Sequence, residues 1–351
     1  MNEFLSQELK ELSEKLGTLT KRFEGKTILV TGAAGFVGSW LVGLLQWLNK
    51  NQFTHPATII AVDNYITGMQ QNPFIDMNDE HLLFEKVDIT KPFTPKKRPD
   101  LIIHGAGIAS PVFYAKYPLE TMTSTIDGLR NILELAREAK PEAVLYFSSS
   151  EIYGDPDPKF IPTPETYNGN VSPTGLRACY DEAKRFGETL STVYHRLYDV
   201  PVVLVRPFNV YGPGMKIDDQ RVLPNFLNAA LNGKTLEIYN RGDQTRTFCY
   251  ATDAVNGFLR VLLSGKPGEA YNIGMDKEEI SMADLAKRVE TAVGKKLDIQ
   301  IKDYPEGYPV GDPNRRCPAL EKARTNLDYE PTTFLDEGLI RMLKWYQLLR
   351  G

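Results

Sequence analysis

The chain has 351 residues, with 41 Lys and Arg against 45 Asp and Glu and a formal charge of −4. Hydrophobic residues make up 42% and charged residues 25%, an ordinary globular balance that excludes extended disorder, while the acidic excess argues against a general nucleic-acid surface. A chain this long predicts two lobes and a core that needs neither disulfides nor metal.

Three scattered cysteines, Cys179, Cys249 and Cys317, show no disulfide framework and no metal-ligand spacing. They predict a reducing, cytoplasmic setting and no bound metal. No apolar run approaches the roughly 18 residues of a membrane span, and charges interrupt the N-terminus too often for a signal-peptide core.

In chain order, Leu5, Leu9, Leu12, Leu16 and Leu19 come first, a leucine stripe on an amphipathic helix within residues 1–24. Such a stripe suits docking on the chain's own surface or on a partner helix. A membrane surface fits worse, because the polar face is not especially basic. From Lys26, strands alternate with helices: Thr27–Thr31, helix 36–48, Thr58–Asp63, a weaker strand from Leu82 to Asp88, Leu101–His104, helix 120–139, Ala143–Ser148, helix 176–198 and Pro201–Arg206. The alternation predicts an α/β fold, a Rossmann-type doubly wound parallel sheet over residues 25–206. Residues 207–351 are punctuated by Gly and Pro, notably at 212–214 and 304–318, and carry helical patterns near 282–293 and 335–349. They predict a smaller, mainly substrate-binding lobe, with some segments returning to the first.

Gly32, Gly35 and Gly38 follow the first strand and open the next helix. Glycines at that spacing permit a tight turn and close approach of backbone to a pyrophosphate, which the helix N-terminus then attracts. Phe36 and Val37 lie within the turn, and Asp63, beside Asn64, ends the second strand. A carboxylate there suits the ribose hydroxyls of NAD and repels the extra phosphate of NADP. Asp88, beside Ile89, could meet the adenine edge at the end of the third strand.

Tyr180 and Lys184 stand four apart on a helix, so they share a face. A tyrosine hydroxyl titrates near pH 10, and a nearby ammonium is expected to bring it down and favour the phenolate. Upstream, the fifth strand runs into Ser148, Ser149, Ser150 and Glu151, at the strand ends where such sheets place ligands. A hydroxyl there can hold a substrate oxygen beside Tyr180, and Glu151 is a second proton-transfer group.

Several segments together resemble the extended short-chain dehydrogenase/reductases that act on nucleotide sugars, most closely the UDP-glucuronate decarboxylases. They are TGAAGFVGSWL, SSSEIYGDP, PETYNGNVSPTGLRACYDEAKRFGETL, VRPFNVYGPGM, QTRTFCYATDAVNGF and EAYNIG. The resemblance covers about residues 26–349. It implies NAD as cofactor, with the pyrophosphate on Gly32, Gly35 and Gly38, the ribose on Asp63, and Tyr180 and Lys184 as the catalytic pair. It implies roles for Ser149, Ser150 and Glu151 in a decarboxylation that begins with oxidation at sugar C4. The related 4,6-dehydratases place an aspartate where this chain has Ser150, and 4-epimerases usually lack the glutamate; both activities stay open as alternatives, as does a non-catalytic nucleotide-sugar sensor acting through the leucine helix. Asn209, Arg221, Arg246 and Arg316 match positions associated with a UDP-sugar, with Arg246 toward phosphate, Arg316 toward the sugar carboxylate and Tyr250 beside the uridine. Arginine suits both anions because its planar fork binds two oxygens at once. A homodimer joined by helices of the nucleotide domain is implied too. Departures lie at the glycine-rich His104–Gly107 segment, at Thr125 where asparagine is common, and at Ala319 in place of an aspartate.

Overall fold

Helix α1 (Glu3–Leu16) begins where the Asn2 side chain accepts a hydrogen bond from the Leu5 amide and ends at Gly17, whose φ is 57°. Its stripe is what makes it stay: Leu5, Leu9, Leu12 and Leu16 are at most 2% exposed, and each such burial contributes about 1.5–3 kcal/mol. The surface they cover belongs to the chain itself, on helices described below. The computed structural model describes residues 2–303 and 313–350, so most of the expected loop at 304–318 lies outside the described residues.

The chain continues with β1 (Thr27–Thr31), α2 (Phe36–Asn51), β2 (Thr58–Asp63), β3 (Leu82–Lys86), β4 (Leu101–His104), α3 (Pro111–Lys116), α4 (Pro118–Ala139), β5 (Ala143–Phe147), α5 (Ala178–Tyr198) and β6 (Val202–Pro207). The strand expected to reach Asp88 stops at Lys86. Then follow β7 (Val210–Tyr211), α6 (Val222–Leu231), β8 (Leu236–Tyr239), β9 (Thr245–Arg246), β10 (Cys249–Tyr250), α7 (Ala251–Ser264), β11 (Ala270–Ile273), β12 (Ile280–Ser281), α8 (Met282–Val293), β13 (Ile299–Lys302), β14 (Arg315–Arg316), α9 (Glu321–Leu327) and α10 (Leu335–Leu348).

Seven strands form one sheet in the order β11-β6-β5-β4-β1-β2-β3, and every pairing in it is parallel. Alternate side chains enter opposite layers, as the pleat requires. Ile28, Val30, Ile59, Ala61, Ile103 and Leu145 join the core with α1, α2 and α7. Leu29, Ile60, Val62, Ile102 and Val144 join the one shared with α4 and α5. The order reverses between β1 and β4, the switch point where a doubly wound sheet opens a crevice at its strand ends. The sheet's last strand, β11, comes from beyond residue 207. A three-stranded sheet, β12-β9-β14, sits across the crevice and sets Arg316 in register with Arg246.

Candidate active site

The crevice holds a cavity of about 490 Å³. One wall is backbone. Gly32 has φ of 72°, and a Cβ on Gly38 would lie 2.1 Å from the Gly32 carbonyl oxygen, so the turn closes only with glycine there. Gly35, Phe36, Val37 and Gly38 line the cavity at the start of α2, with Asp63, Asn64 and Ile89 further along. The Asp63 carboxylate accepts from the Ala34 amide at 2.9 Å and the Tyr65 amide at 2.7 Å. Burial nonetheless pushes its pKa above the usual carboxylate value. A glycine cradle opening onto a helix N-terminus, with a carboxylate on the neighbouring strand, fits a dinucleotide.

Asp88 does not reach this wall. It is exposed, and its carboxylate accepts from the amide and hydroxyl of Thr90 at 3.0 and 2.8 Å. Val87 and Ile89 line the cavity on either side of it, because the chain turns as β3 ends and carries the Asp88 side chain outward.

At the centre, α5 brings Tyr180 and Lys184 to one face, each 6% exposed. The Ser149 hydroxyl lies near enough to the Tyr180 phenol to favour its ionised form, and Tyr114 of α3 stacks on the Tyr180 ring with centroids 5.3 Å apart. The expected lowering of the tyrosine pKa is not found. Burial pushes Tyr180 up to about 12 against the Ser149 hydroxyl, and burial brings Lys184 down to about 8. The Lys184 ammonium lies 5.9 Å from the Tyr180 ring centroid and donates to the Phe147 carbonyl at 2.7 Å. Desolvation therefore outweighs the ion–phenol attraction at this pair.

Glu151 is the most strongly held group. Arg177 Nη2 and Arg316 Nη2 each donate to its Oε2 at 2.6 Å. Burial alone would raise its pKa, but Arg177, Arg316 and Arg246 outweigh burial and hold it below the usual carboxylate range. Arg316 also reaches Asn209 Oδ1 at 3.3 Å. Arg221 is paired with Asp219 at 2.6 Å, and both it and Arg246 line the cavity. Ser150 is buried in the same wall.

Tyr250 is misplaced by the sequence reading. It is fully buried and donates its hydroxyl to Glu8 Oε2 of α1 at 2.9 Å, under the N-terminal helix and away from the cavity wall. Its partner on β7, Tyr211, lines the cavity instead. His104 is buried, with Nδ1 2.8 Å from Thr31 Oγ1. Arg177 and Tyr114 had no expected role. Arg177 had one available signal, since it stands one helical turn before Tyr180 at the head of α5.

A parallel sheet of this order, a glycine turn opening onto α2 and a Ser–Tyr–Lys centre define a Rossmann enzyme of the short-chain dehydrogenase/reductase type. A profile of the NAD dependent epimerase/dehydratase family matches residues 28–274, and the chain belongs to that family. It is 41% identical to UDP-glucuronic acid decarboxylase 6 of Arabidopsis thaliana, over 92% of this chain and 90% of that one. It is 36% identical to UDP-glucuronic acid decarboxylase 1 of Xenopus tropicalis, over 97% of this chain and 74% of that one. Among solved structures, UDP-glucuronic acid 4-epimerase from Bacillus cereus, in complex with UDP-glucuronic acid and NAD, superposes with a TM-score of 0.76 at 27% identity, covering 92% and 99% of the two chains. UDP-glucose 4-epimerase from Thermotoga maritima, with UDP-glucose, gives 0.80 at 25% identity, covering 93% and 100%.

Proposed function

We propose that the protein is an NAD-dependent decarboxylase that converts UDP-glucuronate to UDP-xylose. The observation that carries this reading is Glu151, held ionised by Arg177 and Arg316 beside the Ser149–Tyr180 pair, in a chain 36–41% identical to decarboxylases of that substrate. The glycine turn and α2 N-terminus hold the cofactor's pyrophosphate, and Asp63 its ribose. Bound NAD supplies a hydride acceptor that is restored in each cycle.

Tyr180 takes the proton of the sugar C4 hydroxyl, aided by Ser149 and by the charge of Lys184. The resulting 4-ketone lies β to the C6 carboxylate and accepts the electrons left when CO₂ departs. Arg316 holds that carboxylate, Arg246 and Arg221 serve the diphosphate, and Glu151 delivers a proton at C5. Residues 25–206 carry mainly the cofactor, and residues 207–351 mainly the sugar nucleotide.

Incubation with UDP-glucuronate and NAD should release CO₂ and a UDP-pentose. Product that keeps all its carbons as an epimer, or a 4-keto-6-deoxy sugar from UDP-glucose with no CO₂ from UDP-glucuronate, overturns the decarboxylase reading. Exposed Leu119 and Met122 on α4 and Phe186 and Leu197 on α5 support a homodimer through these helices, which sedimentation of wild type and Phe186→Arg tests. The three free thiols suit the cytoplasm, and imaging of a tagged full-length chain tests that location.

A further inference from the structure

Behind Glu151 lies a second carboxylate that the reaction above does not use. Asp181 follows Tyr180 on α5, is 6% exposed, and is absent from the cavity wall. Its Oδ2 lies 3.8 Å from Arg177 Nε, while its buried Oδ1 has no hydrogen-bond partner. Arg177 thus stands between two carboxylates, with Nη2 on Glu151 at 2.6 Å. The groups facing Asp181 are Glu151, Arg177, Arg316 and Glu182, together with its neighbours Cys179 and Tyr180.

Among the described residues, ionised Glu151 and Asp181 offset Arg177 and Arg316, while Arg246, the third guanidinium acting on Glu151, is the one assigned above to the diphosphate. A sugar carboxylate adds an anion to that set without adding a cation. Arg316 cannot give its full fork to that carboxylate while it holds Glu151 and Asn209. An uncompensated charge in a closed site is costly, so one member must take a proton. Glu151 keeps Arg177 at 2.6 Å; Asp181 has only the longer contact and a bare oxygen.

We propose that Asp181 is a positioning residue that takes up the proton spent in decarboxylation, at the moment the substrate carboxylate draws Arg316 away from Glu151. The proposal rests on the decarboxylase reading. Burial, with Glu151 adding to it, already pushes the Asp181 carboxyl up to about 7. The balance is complete: the C5–C6 bond breaks, its electron pair stays on the sugar as the enolate of the 4-ketone, C6 leaves as CO₂, and forming C5–H consumes one proton. Loss of CO₂ removes the third anion and frees the Asp181 proton to C5 through Glu151, the carboxylate that lines the cavity.

The test is calorimetric titration at pH 8 of the NAD-loaded Tyr180→Phe protein, in which turnover is stopped, using two buffers of different ionisation enthalpy. UDP-glucuronate should take up roughly 0.5–1 proton per site, and UDP-glucose, which lacks the carboxylate, close to none. Adding Asp181→Asn should abolish the uptake, and Asp181→Glu should restore it. Equal uptake with the two sugars, or unchanged uptake in Asp181→Asn, overturns the proposal; the two-sugar comparison needs no change at Asp181. UDP-glucuronate that binds without uptake and is decarboxylated by the unmutated enzyme removes this proposal alone. Failure of the unmutated enzyme to decarboxylate it removes the function reading as well.

Discussion

Glu151 and Glu8 are both glutamates removed from most of the solvent and within reach of arginine, yet they are tuned in opposite directions. Two guanidiniums converge on Glu151 at 2.6 Å each, and its pKa lies below the usual range. Under α1 the ratio is inverted. Arg341 serves Glu8 at 3.5 Å, Glu11 at 2.6 Å and Glu337 at 2.6 Å, so burial wins and Glu8 is pushed up to about 7. What decides the outcome is the count of cations per carboxylate, since the desolvation cost falls on both. An arginine-rich pocket keeps a carboxylate charged in the cavity wall, whereas the arginine-poor seam is held mainly by its leucines.

The largest expected effect separates the two glutamates by function. Glu151→Gln should lower kcat on UDP-glucuronate by about 10²–10⁴-fold, while Glu8→Gln should leave kcat and KM within about twofold. Equal losses in steady-state assays would break the comparison. Next comes the seam itself. Leu9→Ala should cost about 2–5 kcal/mol in urea unfolding with little change in kcat/KM; a large rise in KM with unchanged stability would mean that α1 shapes the cavity.

The third effect is a pH dependence of stability. Glu8 ionises near 4.5 in the unfolded chain and near 7 in the folded one. Between those values the folded state keeps a proton that the unfolded state has lost, so stability falls as pH rises through that window, by roughly 3 kcal/mol in total. Unfolding midpoints at pH 5 and pH 7.5 should therefore differ more for wild type than for Glu8→Gln. The smallest effect sharpens the Glu151 side. Arg316→Lys keeps the charge but loses the planar fork, and should weaken UDP-glucuronate binding about tenfold, near 1.4 kcal/mol, with less effect on UDP-glucose.

The parts legible in the sequence are those with short-range causes. The leucine stripe, the strand–helix alternation, the glycine turn and the spacing of Tyr180 and Lys184 follow from helical period, pleat and turn geometry, which act within a few residues. Six of the seven sheet strands and the glycine-turn wall of the cavity could be read at that level; β11, which returns from beyond residue 207, could not, nor could the direction of Asp88, which depended on where β3 ended. Tertiary structure decided the charged wall. Glu151 meets Arg177 from 26 positions away and Arg316 from 165, and Tyr250 meets Glu8 from 242. Residue type could nominate Arg316 for an anion and Tyr250 for a base, but only the packing of α1 over α7 and the pairing of β14 with β9 settled which of them faces the cavity. Whether a buried group is charged was likewise out of reach, because desolvation and partner count are properties of the assembled interior, and no local pattern encodes them.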